Sequence, residues 1–318
     1  MKWLVVVLSL VIVTGAVTIG LMHKATPLYT PPLTPWGEPD LRGTYTSDGF
    51  LGVPFERPSW LGDRTTLTDA EIDGSQRANL QQIAPLGKDP FAISSPEHWT
   101  ERGTKVTSAT SIVVDPPTGH IPPLTPEGRK RREAVRWREA HGSIEGADQH
   151  SYFDRCITRG VIGSMLPDIS GGSGTSLLQS AGVVVIRNEM IHEARVVPID
   201  STAPRLGRNI HLYMGDPRGR WEGNTLIVDS TNFTDKLGVG GGTVTSTSLH
   251  LVERFTRTAG DTIRYEFTVD DPDTFTATWT AALDLISTPR YEIYEFACHE
   301  GNYALRNMLS ASRTENSK

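Results

Sequence analysis

In the later half of the chain, apolar and polar positions alternate with a period of two. Ile263, Tyr265, Phe267 and Val269 alternate with Arg264, Glu266 and Thr268. Ala277, Trp279, Ala281, Leu283 and Leu285 alternate with Thr276, Thr278, Thr280 and Asp284. Successive strand side chains point to opposite faces, so the pattern predicts half-buried antiparallel strands. Val183–Arg187, Arg195–Ile199, Thr225–Ser230, Leu249–Arg257 and Tyr291–Phe296 are further predicted strands. Turn chemistry separates them at Asp216-Pro217-Arg218-Gly219, Thr258-Ala259-Gly260-Asp261, Asp270-Asp271-Pro272-Asp273 and Ser287-Thr288-Pro289-Arg290. After residue 249 no helix-length segment interrupts the strands, and parallel pairing needs a long crossover, so neighbours there must run antiparallel. A meander of this size must protect its edges, and closure does so completely. The predicted fold is mainly β: an antiparallel meander forming an up-and-down barrel or a curved sheet.

The earlier half reads differently. Leu41-Arg42-Gly43-Thr44-Tyr45-Thr46 predicts a first strand and Ser111–Asp115 another. Thr68 with Glu71 has capping-box spacing and predicts a helix over 69–84. Thr125-Pro126 is an N-cap followed by Pro at the first helical position, and predicts a helix to about Ala140. That second helix carries Arg129, Lys130, Arg131, Arg132, Arg136 and Arg138, which reads as a solvated face or as a contact for an anionic surface. The N-terminal portion is therefore α-helical and irregular, packed on the β unit. The organisation expected is a targeting segment over 1–24, a Pro-rich linker over 25–40, one barrel-like domain over 41–310 with a helical insert near 66–140, and a tail over 311–318.

Trp3 to Met22 carries no charge over 20 residues, between Lys2 and His23-Lys24. It reads as a signal peptide cleaved after Ala16 or as an uncleaved signal anchor, since such a run spans a bilayer at about 1.5 Å per residue. Both place the remainder outside the cytoplasm, in the periplasm, anchored to the membrane or free. The net charge is −6, which argues against a dedicated nucleic-acid partner.

Several segments together are distinctive: Arg155-Cys156-Ile157-Thr158-Arg159-Gly160, Glu189-Met190-Ile191-His192-Glu193-Ala194-Arg195, Gly219-Arg220-Trp221-Glu222-Gly223-Asn224-Thr225-Leu226, Thr231-Asn232-Phe233 and Ala297-Cys298-His299-Glu300-Gly301-Asn302-Tyr303. With them, the chain over roughly 38–310 resembles a family of exported bacterial proteins. The resemblance implies export and brings no activity with it. Leu41-Arg42-Gly43-Thr44-Tyr45 is also similar to the opening strand of lipocalins, with Tyr where they have Trp, which implies a lipocalin/calycin-like barrel.

Candidate chemistry is sparse. Cys156 and Cys298, outside the cytoplasm, most simply form one disulfide. The alternative is a cysteine nucleophile beside His299. His192, Arg195, His299 and Glu300 together suit a polar cluster at a barrel mouth: two imidazoles to exchange protons and a guanidinium to hold a carboxylate or enolate oxygen. The competing reading is an ion-pair network that seals the barrel end. Tyr265, Phe267, Trp279 and Tyr294 would line an interior for an apolar or aromatic ligand. Asp229 and Asp235 are available as carboxylate partners. His192, His211, His250 and His299 with Glu193 and Glu300 contain no metal-binding spacing, so no metal is expected. No cofactor motif occurs either. Gly238–Gly242 lacks the Lys-Ser/Thr of a phosphate loop and reads as a mobile loop or lid. Asp216–Asn224 reads mostly as turn chemistry, and Ser170–Gly174 as a flexible segment.

Three functions follow from these readings: an exported barrel that binds a small apolar or aromatic molecule; an isomerase, lyase or cyclase using histidine acid–base chemistry on the same barrel; or a structural envelope protein.

Overall fold

The computed structural model describes residues 29–83, 107–141, 146–167, 174–238 and 244–315. Its centre is a nearly closed antiparallel sheet of nine strands, joined by a short tenth. The strands are β1 (Gly43–Thr46), β2 (Val113–Asp115), β3 (Thr175–Ser180), β4 (Val183–Asn188), β5 (Ala194–Pro198), β6 (Asp216–Glu222), β7 (Thr225–Thr231), β8 (His250–Ala259), β9 (Thr262–Asp270) and β10 (Trp279–Ser287). Their order is β5-β4-β3-β1-β10-β9-β8-β7-β6, with β2 on β10. Two runs of hairpins, β3 to β5 and β6 to β10, are thus joined by the N-terminal strand β1, which lies between β3 and β10.

The two outer strands of this order come together by a single parallel bridge. Ile199, just after β5, pairs with Gly219 of β6, and the Asp200 N–H donates to the Gly219 carbonyl at 2.9 Å. Gly219 is required there: a Cβ would lie 2.4 Å from Ile199 Cδ1 and 2.9 Å from Val197 Cγ1. The alternation read from the sequence holds in β9 and β10, where Ile263, Tyr265, Phe267, Val269, Trp279, Ala281, Leu283 and Leu285 are buried, and in β8 the buried positions are Leu251, Glu253 and Phe255.

Among the described residues four α-helices accompany the sheet: α1 (Asp69–Ile83), α2 (Pro126–His141), the single turn α3 (Gly160–Gly163) and α4 (Ala304–Glu315). The capping box is formed at α1, where the Thr68 N–H donates to Glu71 Oε2 at 2.8 Å and the Glu71 N–H to Thr68 Oγ1 at 3.4 Å. At α2 the Gly128 N–H donates to Thr125 Oγ1 at 3.0 Å. Two of the α2 arginines pin the helix to the body. Arg131 donates to the Asp273 carbonyl at 2.8 Å and to Thr274 Oγ1 at 2.6 Å, and Arg129 to the Leu124 carbonyl at 2.7 Å.

Two local expectations are corrected. Tyr291–Phe296 is not a strand: after β10 the chain leaves the sheet and runs irregularly to α4, because β1 already occupies the β10 edge. Asp216–Glu222 is a strand rather than a turn. The turn lies at Gly223-Asn224, with Glu222 and Thr225 paired across it. β3 carries no clear period in sequence, whereas α4 has Leu305, Met308 and Leu309 at helical spacing; neither element is among the predicted ones. Residues 1–28, most of Gly238–Gly242 and most of Ser170–Gly174 lie outside the described residues. Among the described residues no helix is long and apolar enough to cross a membrane.

Candidate functional site

The barrel interior is occupied by its own side chains. Tyr265, Phe267 and Trp279 are fully buried. They pack in series with ring centroids 5.7 Å apart for Tyr265–Phe267 and 6.0 Å for Phe267–Trp279, and Phe255 lies 4.8 Å from Tyr265. Tyr294, the fourth aromatic of the expected lining, is 70% exposed on the irregular segment after β10.

A polar pair spans this interior. Arg195 on β5 donates to Glu253 on β8 through Nη1 at 2.5 Å and Nη2 at 2.8 Å, and the Tyr265 hydroxyl donates to Glu253 Oε1 at 2.8 Å. Arg195 is 3% exposed and Glu253 0%. Burial opposes the charge on Arg195, but the Glu253 carboxylate more than offsets it, so the guanidinium pKa is raised. Burial also pushes the Tyr265 phenol well above its ordinary value, with the Glu253 charge adding to it. Arg195 is therefore committed to Glu253.

One end of the barrel is plugged by α3 and the residues before it, with Val161, Ile162 and Met165 in the core. Glu193 holds this plug: Thr158 Oγ1 and Ser164 Oγ both donate to its carboxylate, the latter at 2.5 Å. Burial raises the Glu193 pKa despite these donors. The folded state then binds the Glu193 proton more tightly than the unfolded chain does. The resulting stability is fully present below the ordinary carboxyl value of 4.5 and is lost as pH rises through the folded pKa. Glu193→Gln is expected to remove that loss, so its melting temperature relative to the wild type should climb as pH goes from about 4 to 7. A difference that stays flat with pH would show that Glu193 does not titrate in this way.

The C-terminal segment crosses the same end. Cys156 and Cys298 form a disulfide with a Cα–Cα distance of 5.8 Å. The Tyr291 hydroxyl donates to Glu189 Oε2, and the Tyr294 N–H donates to Glu189 Oε1 at 3.2 Å. His192 is exposed on the β4–β5 turn, its Nδ1 3.2 Å from the Phe296 carbonyl. His299 and Glu300 are exposed in the turn that follows Cys298. Of the residues expected to meet at a barrel mouth, Arg195 alone is in the interior. The disulfide fits an oxidising compartment.

An open cleft lies on the outer wall. It has a volume of about 560 Å³, within the range of small-molecule sites. Arg205, Leu206, Arg208 and His211 line it from the β5–β6 connection, Thr231 and Asn232 from the end of β7, and Ser248, Leu249 and His250 from the approach to β8. Asp229 and His250 lie on the outward face, since their neighbours Val228, Ser230 and Leu251 are the buried ones.

The wall of this cleft is a long connection, residues 199–215, fixed by specific bonds. Arg205 Nη2 donates to Asp229 Oδ1 at 2.5 Å, and its Nη1 to the Asp216 carbonyl at 2.9 Å. The Leu206 N–H donates to Asp216 Oδ2 at 3.0 Å. Asn232, at φ +60°, turns its Nδ2 back to donate to the carbonyls of Gly207 and Ile210, both at 3.0 Å. His211 and His250 are held as well, with His211 Nδ1 3.0 Å from the Phe233 carbonyl and His250 Nε2 3.0 Å from Asp229 Oδ2. Arg208 is exposed and has no ion-pair partner among the described residues. It is the cation that the cleft leaves for a ligand.

Comparison of the chain with protein-family models, characterised proteins and solved structures finds no match. The site rests on this geometry alone. Among the described residues no three of His, Cys, Asp and Glu converge as a metal-ion cage. Sequence reasoning named His211 and His250 only within a metal-ligand set and Asp229 as a carboxylate partner, and missed Arg205 and Arg208. The available signal was the length of the β5–β6 connection, since structureless loops beyond about 12–15 residues are uncommon and usually functional.

Proposed function

We propose that this chain is an exported barrel protein that binds a small molecule combining an anionic group with an apolar body, held in the outer cleft. The observation that carries this reading is the cleft itself: a fixed concavity with an uncompensated guanidinium at Arg208, flanked by Leu206 and Leu249. Arg205 is engaged as a strut, so Arg208 supplies the fork that fits a carboxylate or phosphate. The packed aromatic interior and its buried ion pair favour an outer ligand over an inner one. The Cys156–Cys298 disulfide and the uncharged run from Trp3 to Met22 support a periplasmic location, with that run as signal or membrane anchor.

Calorimetric titration with phenylacetate and with 2-phenylethanol, its neutral counterpart, tests the reading. Phenylacetate is expected to bind and 2-phenylethanol to bind at least tenfold more weakly. Hydrogen bonds to a charged group contribute about 1.5–3 kcal/mol, so Arg208→Ala should lower phenylacetate affinity by roughly 10- to 100-fold. Equal binding of acid and alcohol, binding of neither, or an unchanged affinity in Arg208→Ala would refute it.

A further inference from the structure

The hydrogen bonds of the two cleft histidines fix where their protons sit. A backbone carbonyl and a carboxylate beside a guanidinium only accept hydrogen bonds. His211 must therefore donate from Nδ1 to the Phe233 carbonyl, and His250 from Nε2 to Asp229 Oδ2. Each neutral ring then keeps one unshared lone pair, on His211 Nε2 and on His250 Nδ1. Two imidazoles with fixed tautomers line one cleft, one of them held by a carboxylate, and each leaves a ring nitrogen for acid–base work. Asp229 is itself anchored by Arg205, so it fixes the orientation of the His250 ring.

The other candidate chemistries of the cleft are committed elsewhere. The Ser248 hydroxyl donates to Asp273 Oδ2 at 2.6 Å and is not paired with an imidazole, so a serine nucleophile has no base. Arg195, the buried guanidinium, is engaged through both Nη atoms by Glu253 on the inner face of the wall.

We infer that the cleft is a proton-transfer site for 2-oxo acids, with His250 as the base, His211 as its acid counterpart and Arg208 as the carboxylate anchor. The inference rests on the proposed ligand site and adds a reaction to it. A 2-oxo acid supplies the anion that Arg208 needs and a C3–H bond acidified by the neighbouring carbonyl. His250 Nδ1 takes the C3 proton. The C–H electron pair becomes the C2–C3 double bond as the C2 carbonyl electrons move onto oxygen. The imidazolium form of His211 gives its Nε2 proton to that oxygen, and the enol results. The sum is one C–H bond broken and one O–H bond made, with no oxidant or reductant. Exchange with solvent resets both rings, and the reverse sequence returns the keto acid.

Phenylpyruvate and 2-oxoglutarate are the probes, in D₂O, with proton NMR following loss of the C3 signal and calorimetry following binding. The wild type is expected to speed exchange of at least one acid by 10²-fold or more over buffer of equal pH and ionic strength. His250→Asn should lose that acceleration by roughly 10²–10⁴-fold and still bind the acid. Arg208→Ala should raise KM and leave kcat nearly unchanged. Arg208 is exposed and His250 half-buried, and Asn at 250 keeps a polar side chain there, so melting temperatures should stay close to the wild-type value and report intact folding. Binding without accelerated exchange, or a His250→Asn variant as fast as the wild type, overturns the acid–base inference and leaves the binding site standing. No binding of either acid removes both.

Discussion

Replacing Glu253 with Ala is expected to destabilise the barrel by about 3–5 kcal/mol, because it leaves Arg195 buried with no counter-charge. The pair is 1% and 0% exposed at its side chains, so water cannot take the place of the missing carboxylate. Arg195→Ala should cost a similar amount by stranding Glu253 and the Tyr265 hydroxyl that donates to it. The double replacement Arg195→Met with Glu253→Leu should behave in the opposite sense and match or exceed wild-type stability. Two features support this. Desolvating both charges is costly, and Arg195 Nε has no partner among the described residues even in the intact pair. Urea denaturation of the four proteins under oxidising conditions ranks their stabilities. Single variants that lose less than about 1 kcal/mol would mean that the interior admits water around the pair.

Loss of the Cys156–Cys298 bond is the second large effect. The cysteines are 142 positions apart, and the chain-entropy model assigns about 5 kcal/mol to a loop of that size. That figure is an upper limit, since the tethered segment beyond Ser287 is thinly attached. Its described anchors include the Glu189 contacts with Tyr291 and Tyr294, the contact of His192 with the Phe296 carbonyl, the Asn302 amide toward Cys156 Sγ and the bond of the Thr288 N–H to the Thr44 carbonyl. Cys298→Ser is therefore expected to lower the urea midpoint and to expose the chain between Thr288 and Tyr303 to limited proteolysis while the barrel stays intact. Cys156→Ser should give the same cleavage pattern. A reduced or mutated protein with the oxidised protein's midpoint and protease resistance would show that the other anchors suffice.

Legibility along the chain followed the length of each periodic run. β9 and β10 were plain in sequence because Ile263 to Val269 and Trp279 to Leu285 alternate over whole strands, each packing against its own hairpin neighbour. β6 was hidden because its face toward β5 needs Gly219 and its first turn-like residues, Asp216-Pro217, look like a loop start. Tyr291–Phe296 misled for the converse reason: an alternating apolar segment with no free strand to join stays out of the sheet. The histidines divide the same way. His192 and His299 sit in motifs that catch the eye, yet both are exposed near the plugged end. His211 and His250 stand in unremarked contexts and share the cleft.

Sequence by itself determined the strand-rich class, the antiparallel succession after residue 249, both capped helices and the pair of cysteines available for bonding. These depend on contacts between near neighbours, so local period, capping and turn chemistry report them. Tertiary structure decided the rest: the closing bridge at Ile199 and Gly219, the place of β1 between β3 and β10, the Arg195–Glu253 pair and the outer cleft. Each of these joins residues whose proximity is set by sheet register and by one long connection folding back on the wall. A one-dimensional pattern of polarity says which way a side chain faces, and it does not say what stands opposite.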